Sequence, residues 1–433
     1  MTTRVFYAST LFGAMSIAAA IDAGLFGERA ERRLLLVSTN ARIPEITTRF
    51  DESPGFDPLR QRFDDIICWN DVIAPLHPAD WVPPASEVPL LSRLVRRELG
   101  LDDGVRELVV ESLAVAPARS IATLIRECPI TVYSDGLMSY GPTRSDLTAD
   151  VGRRTQRLLY LDLVPSVRPL LLRENEVDAQ PIPDSAFAKV LAELPQPAVD
   201  GDAGLPVVVG QYLGALDLLT ADEEAEVHIG MLGALAAAGH RHVVFRPHPA
   251  VGRGQVRRLR AGAAALGVQL SVADDGLPAE AWFAAARPEL VVSCFSTALL
   301  TAGHYFGIPV ASTSTGLVLE RITPYQNSNR IPATIVDAMI PRLGPDGTIA
   351  DPPDADVAAL VAAVGFCMQS TRNPDLRDAA AAYVQEHGPQ RYFKKRRLER
   401  LGLLVPPVHR SAPVVRAARA GRRALARLRT AVG

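Results

Sequence analysis

The chain has 433 residues, nearly half of them hydrophobic and under a quarter charged, which excludes a disordered or fibrous polymer and exceeds one compact core. Its 46 basic and 48 acidic residues leave a net charge of −2, which gives no reason to expect nucleic acid as a partner. The four cysteines, Cys68, Cys128, Cys294 and Cys367, are scattered without metal-ligand spacing and read as small buried apolar residues in a reducing compartment.

In chain order, Arg4 to Ala8 reads as a first strand followed by a helix from Leu11 to Ala23, a better account than an export signal because Ser9, Thr10 and Ser16 interrupt the apolar run. Strands are then predicted at 33–38, 65–69, 107–111, 130–134 and 158–162, with a helix from Pro117 to Arg126. A Pro, Asp and Ala-rich stretch at 176–204 is the expected linker, with at most one short helix from Ser185 to Leu194. A second set starts at Val207 to Gly210, its helix announced by Thr220 and Glu223 at capping-box spacing. Strands follow at 242–246, 268–272, 290–293 and 309–312. Strand and helix alternate throughout, so the fold class is α/β with two Rossmann-like domains, 1–175 and 205–353, facing a cleft. Residues 354–410 read as C-terminal helices and 411–433 as a basic tail holding six arginines and no acid.

Three constellations stand at strand ends, where open α/β sheets place ligands. Asp135 follows an apolar strand and precedes Gly136; its carboxylate suits a general base for a hydroxyl proton, although Asp-Gly is also an ordinary turn. His248, with Arg246 nearby and between Pro247 and Pro249, can donate to a phosphate and offset charge on a departing nucleotide; a surface histidine in a stiff turn is the alternative. Ser293 ends a strand and Ser296 with Thr297 opens a helix, which offers either an anion site or a plain cap. Glu280 lies at a helix start, where it could accept from both ribose hydroxyls or simply favour the helix dipole. All four occur in order at successive strand ends.

In this pattern the chain resembles the bacterial sialyltransferases and polysialyltransferases, whose acidic-acidic-Gly, His-Pro and serine-rich motifs correspond to Ser134-Asp135-Gly136, His248-Pro249 and Ser293 through Thr297. Val208-Val209-Gly210-Gln211, Ser296-Thr297-Ala298-Leu299-Leu300 and Asn327-Ser328-Asn329-Arg330-Ile331-Pro332 add to the likeness, over roughly residues 1 to 335. The resemblance implies a GT-B fold and a cytoplasmic, metal-independent, inverting transfer of sialic acid or a related acidic sugar from a CMP-activated donor to a glycan acceptor, with no cofactor. It implies that Asp135 is the base, that His248 assists phosphate departure, and that Gln211, Arg246, Pro249, Glu280, Ser293, Ser296 and Thr297 bind the donor.

Two departures stand out. The family's first acid is Ser134 here, which points to a changed substrate or to a non-catalytic binding relative. The literal Asp274-Asp275-Gly276 falls after His248 and reads as a turn. A UDP-sugar or phosphoenolpyruvate donor is the alternative within the same fold. The basic tail is expected to attach peripherally to anionic lipid at the inner face of the membrane, or to be a solvated tail.

Overall fold

The computed structural model describes residues 2–404 except Ala30, Ala215 and 249–252. The tail and Pro249, with the roles expected of them, therefore lie outside the described residues.

The first sheet is built from β1 (Thr3–Ala8), β2 (Arg32–Val37), β3 (Asp65–Cys68), β4 (Val105–Val110), β5 (Ile130–Ser134), β6 (Thr155–Leu161) and β7 (Asp178–Ile182), in the order β3-β2-β1-β4-β5-β6-β7. Every pairing in it is parallel. The second sheet repeats that order with β8 (Val207–Val209), β9 (His242–Arg246), β10 (Gln269–Val272), β11 (Val291–Ser293), β12 (Val310–Ser312), β13 (Arg342–Leu343) and β14 (Ile349–Ala350); only the β13–β14 pair is antiparallel. The inner strands are short, almost fully buried aliphatic runs, as a sheet covered by helices on both faces requires. The chain thus carries two Rossmann-like sheets, the GT-B arrangement expected from the sequence.

In each sheet the strand order reverses beside the first strand, between β1 and β4 and between β8 and β11. Loops leaving neighbouring strands diverge there and open a crevice. The helix Leu11–Asp22 starts at the first of these points, its Gly13 amide donating to the Thr10 hydroxyl at 2.9 Å, and it is buried on nearly every side. The helix Ala221–Ala237 has the expected capping box, with Thr220 and Glu223 each accepting from the other's backbone amide.

The segment 176–204 differs from the linker expected. It contains β7, an edge strand paired to β6, and then the helix Asp184–Glu193, which packs against Leu11–Asp22. That helix also meets the second sheet's helix Thr297–Phe306: Asp184 accepts from His304 at 2.9 Å and from Tyr305 at 3.2 Å, and the Phe187 and Tyr305 rings lie 5.2 Å apart. The C-terminal helices return to the first half. Gly365 of Val357–Met368 lies against Leu170, Arg372 pairs with Asp146 and Glu174, and Arg173 pairs with Asp375. Among the described residues no helix is long and apolar enough to cross a membrane.

Candidate active site between the two sheets

Asp135 leaves the end of β5 half-buried, and desolvation holds its pKa above the ordinary carboxylate value, opposed by its own backbone amide and by the Thr10 hydroxyl at 3.5 Å. Thr10 caps the first helix with the same oxygen, so the polar loop after β1 and the loop after β5 meet at one place. Gly136 continues in extended backbone, φ −171°, a conformation open to any residue. Its glycine is required by space instead. A Cβ there would lie 2.7 Å from Oγ1 and 3.3 Å from Cγ2 of Thr297, which belongs to the second sheet's serine-rich loop. Two motifs 161 positions apart in sequence are therefore in direct contact across the molecule.

Ser296 caps the helix Thr297–Phe306 in extended backbone, its hydroxyl accepting from the Ala298 amide at 3.2 Å. Ser296 and Thr297 remain partly exposed while Ala298, Leu299 and Leu300 are buried, so the amide end of the helix faces the Asp135 loop. Gln211 braces this loop from the side: its side-chain carbonyl accepts from the Phe295 amide at 2.7 Å. Gly210, next to it, packs on Phe245, where an added Cβ would lie 2.8 Å from the ring. These contacts give the Val208-Val209-Gly210-Gln211 segment its local logic.

His248 is exposed beyond the end of β9 and stacks on Tyr212, ring centroids 5.1 Å apart and planes 5° from parallel. Desolvation lowers its pKa below the ordinary imidazole value. The contacts run in series: Asp135-Gly136 to Thr297, Phe295 to Gln211, Tyr212 to His248.

Three of the residues expected to bind the donor also have partners within the fold. Ser293 is fully buried, its hydroxyl donating to the Val209 carbonyl at 2.8 Å, so it joins β11 to β8 within the sheet. Arg246 is held by both oxygens of Asp275, at 3.0 and 2.9 Å, and donates to the Leu277 carbonyl at 2.8 Å, with Trp282 beneath it. This gives the Asp274-Asp275-Gly276 turn a structural task. Glu280 is buried, accepts from the Thr301 hydroxyl at 2.6 Å, and has its pKa raised by desolvation.

Sequence reasoning passed over Glu111. It follows β4, next to both β1 and β5, and accepts from the Ser9 hydroxyl at 2.6 Å and from the Tyr133 hydroxyl at 3.4 Å. Burial pushes its pKa up to about 7, the Ser9 bond opposes this, and the Asp135 charge adds to it. The only signal available in sequence was an acid at the end of a predicted strand.

The alpha-2,8-polysialyltransferase (POLYST) family model matches residues 4–315. No curated protein matches the chain. Among solved structures it is similar to the GT-B domain of a sialyltransferase from Photobacterium damselae, with 12% identity over 77% of this chain and 95% of that one at a TM-score of 0.38. It is also similar to a putative UDP-N-acetylglucosamine 2-epimerase from Listeria monocytogenes (13% identity, 86% and 97% coverage, TM-score 0.44). A third similar structure is Phytolacca americana UGT2 complexed with UDP-2fluoro-glucose and pterostilbene (12%, 93% and 99%, TM-score 0.40). With 312 of its 433 residues inside one family match, the chain belongs to the alpha-2,8-polysialyltransferase family and is a glycosyltransferase.

Proposed function

We propose that the protein transfers sialic acid or a related acidic sugar from a CMP-activated donor to a glycan hydroxyl in a single inverting displacement. The observation that carries this reading is the contact of the Asp135-Gly136 loop with Thr297, which brings the loop that bears the Asp135 carboxylate against the start of a helix. Asp135 takes the acceptor's hydroxyl proton as the oxygen bonds to the anomeric carbon. The bond from that carbon to the phosphate oxygen breaks, and its electron pair leaves with CMP. The helix amides after Ser296 and a ring N–H of His248 stabilise that phosphate oxygen. One phosphate carries less charge than a diphosphate, so these groups suffice without a metal in this scheme. Gln211 acts indirectly, holding the Phe295 amide and with it the start of the helix.

Ligand-dependent melting tests the donor. CMP at a hundredfold its dissociation constant should stabilise the chain by about 2.7 kcal/mol, and UDP and phosphoenolpyruvate should do little at equal concentration. Stabilisation by UDP alone removes the CMP reading. The His248→Ala variant should keep its fold and lose turnover by about a hundredfold. Unchanged turnover with CMP-N-acetylneuraminic acid means that the ring does not assist departure.

Crowding at Gly136 supplies a separate test. Thr297 is β-branched and cannot swing away freely, so Gly136→Ala must force the loop and the helix start apart. A displacement of about 1 Å costs on the order of a hundredfold in rate. Full activity in this variant would show that the approach of the two loops is not needed for turnover.

A further inference from the structure

The ends of β1, β4 and β5 are neighbours at the reversal of the first sheet, and each contributes to one polar cluster. From β1 and its loop come Tyr7, Ser9 and Thr10; from β4, Glu111; from β5, Tyr133 and Asp135. Ser9 binds one Glu111 oxygen at 2.6 Å and Tyr133 reaches the other at 3.4 Å, while Thr10 reaches Asp135 at 3.5 Å. The Tyr133 hydroxyl also donates to the Tyr7 carbonyl at 3.1 Å, and an added Cβ on Gly13 would lie 2.8 Å from it, so the tyrosine is confined. The Tyr7 hydroxyl faces Ser38 at 2.7 Å. Among the described residues no lysine, arginine or histidine forms an ion pair with Glu111 or with Asp135. Nothing cationic in the cluster stabilises two negative charges together.

We propose that Glu111 is a positioning residue that titrates jointly with Asp135, so that its negative charge makes Asp135 the stronger base for the acceptor hydroxyl. The proposal rests on the reading of Asp135 as that base. Two carboxylates without a cation between them do not ionise independently; the second proton leaves at a higher pH than either group would show alone. The burial that pushes Glu111 up to about 7 puts this second ionisation in the physiological range. Below it, Glu111 is protonated and Asp135 is a base of ordinary strength for its site. Above it, the added charge raises the proton affinity of Asp135 and speeds proton abstraction. Ser134, where the family has an acid, is buried and uncharged, so the second carboxylate near this strand end comes from the adjacent strand. Ser9 tunes the pair, since its hydroxyl favours the ionised form of Glu111.

The test titrates the free full-length chain by NMR with carboxyl-carbon-13 glutamate and aspartate, the two signals assigned from Glu111→Gln and Asp135→Asn. Each substitution should lower the midpoint of the remaining carboxylate, the signature of a coupled pair. Ser9→Ala should move the Glu111 midpoint upward, the opposite direction, without removing either acid. The pH profile of kcat/KM with CMP-N-acetylneuraminic acid and an α2,8-linked sialic acid oligomer then reads the consequence. The wild-type chain should show an upper rise near pH 7 that is absent in Glu111→Gln. Midpoints that do not respond to the partner's removal overturn the proposal, as does an upper rise that persists in Glu111→Gln with the whole profile merely scaled down. If the midpoints are coupled but Asp135→Asn turns over normally, the failure belongs to the assignment of the base.

Discussion

Asp135→Asn should lower kcat by about 10² to 10⁴, the range a general base contributes, while leaving CMP binding unchanged because the nucleotide is assigned to the other sheet. The substitution keeps size and shape and removes only the ability to hold a proton. Its effect on stability has the opposite sign. Desolvation raises the folded-state pKa of Asp135 above its unfolded value, so the folded state prefers the protonated form. That preference supports folding fully at low pH and is lost as pH rises through the raised pKa. At pH 8 the wild-type chain therefore bears the cost of a desolvated carboxylate that the asparagine variant does not have. The variant should melt no lower than the wild type there, and the difference should shrink as pH falls toward 4. A variant that loses both turnover and melting temperature at pH 8 would make Asp135 a structural residue.

The largest loss of stability is expected at Arg330. Its guanidinium is fully buried, donates to the carbonyls of Tyr325 and Ile322 at 3.0 Å each and of Leu319 at 3.4 Å, and lies 4.1 Å over the Tyr325 ring. Leu319 and Ile322 close the helix Thr315–Arg321, where carbonyls have no partner within the helix and the dipole favours a cation. Arg330 is thus a cap supplied from the next helix, Arg330–Met339. Burial lowers its pKa, yet a guanidinium stays charged and its fork matches several acceptors at once. Arg330→Met would leave three buried carbonyls without donors, about 1 kcal/mol or more for each, so a loss of about 3 kcal/mol or more is expected in urea unfolding. Arg330→Lys should fail nearly as badly, because an ammonium cannot span the three acceptors. The Asn327 to Pro332 segment, part of the family likeness, is explained by this packing; Asn327 also accepts from the Asn329 amide at 3.0 Å.

The sequence made the strand ends legible for a definite reason. Val132 to Ser134, Val243 to Arg246 and Val291 to Ser293 are apolar runs that stop at a polar residue, as a parallel strand buried on both faces does where it leaves the sheet. Asp135, His248 and Ser296 stand just beyond those ends. The capping box at Thr220 was legible because its two partners are three residues apart. By contrast, β7 is a half-exposed edge strand containing Pro181 and carries no apolar run to announce it, so the segment reads as linker. The two-residue β13 and β14 are too short for any periodicity.

Roles that depend on a neighbour remote in sequence were decided only by the fold. Ser293, Arg246 and Glu280 are polar groups near the crevice whose partners within the fold, Val209, Asp275 and Thr301, lie tens of residues away in sequence. Glu111 gains its significance from strand order, since β4 lies between β1 and β5 only once the sheet is assembled. The amino-acid order therefore determined the α/β alternation, the family and which strand ends carry polar groups, because hydrophobic patterning and capping act over a few residues. The tertiary structure alone decided which of those groups face one another, because hydrogen-bond partners and desolvation arise from residues tens to hundreds of positions away.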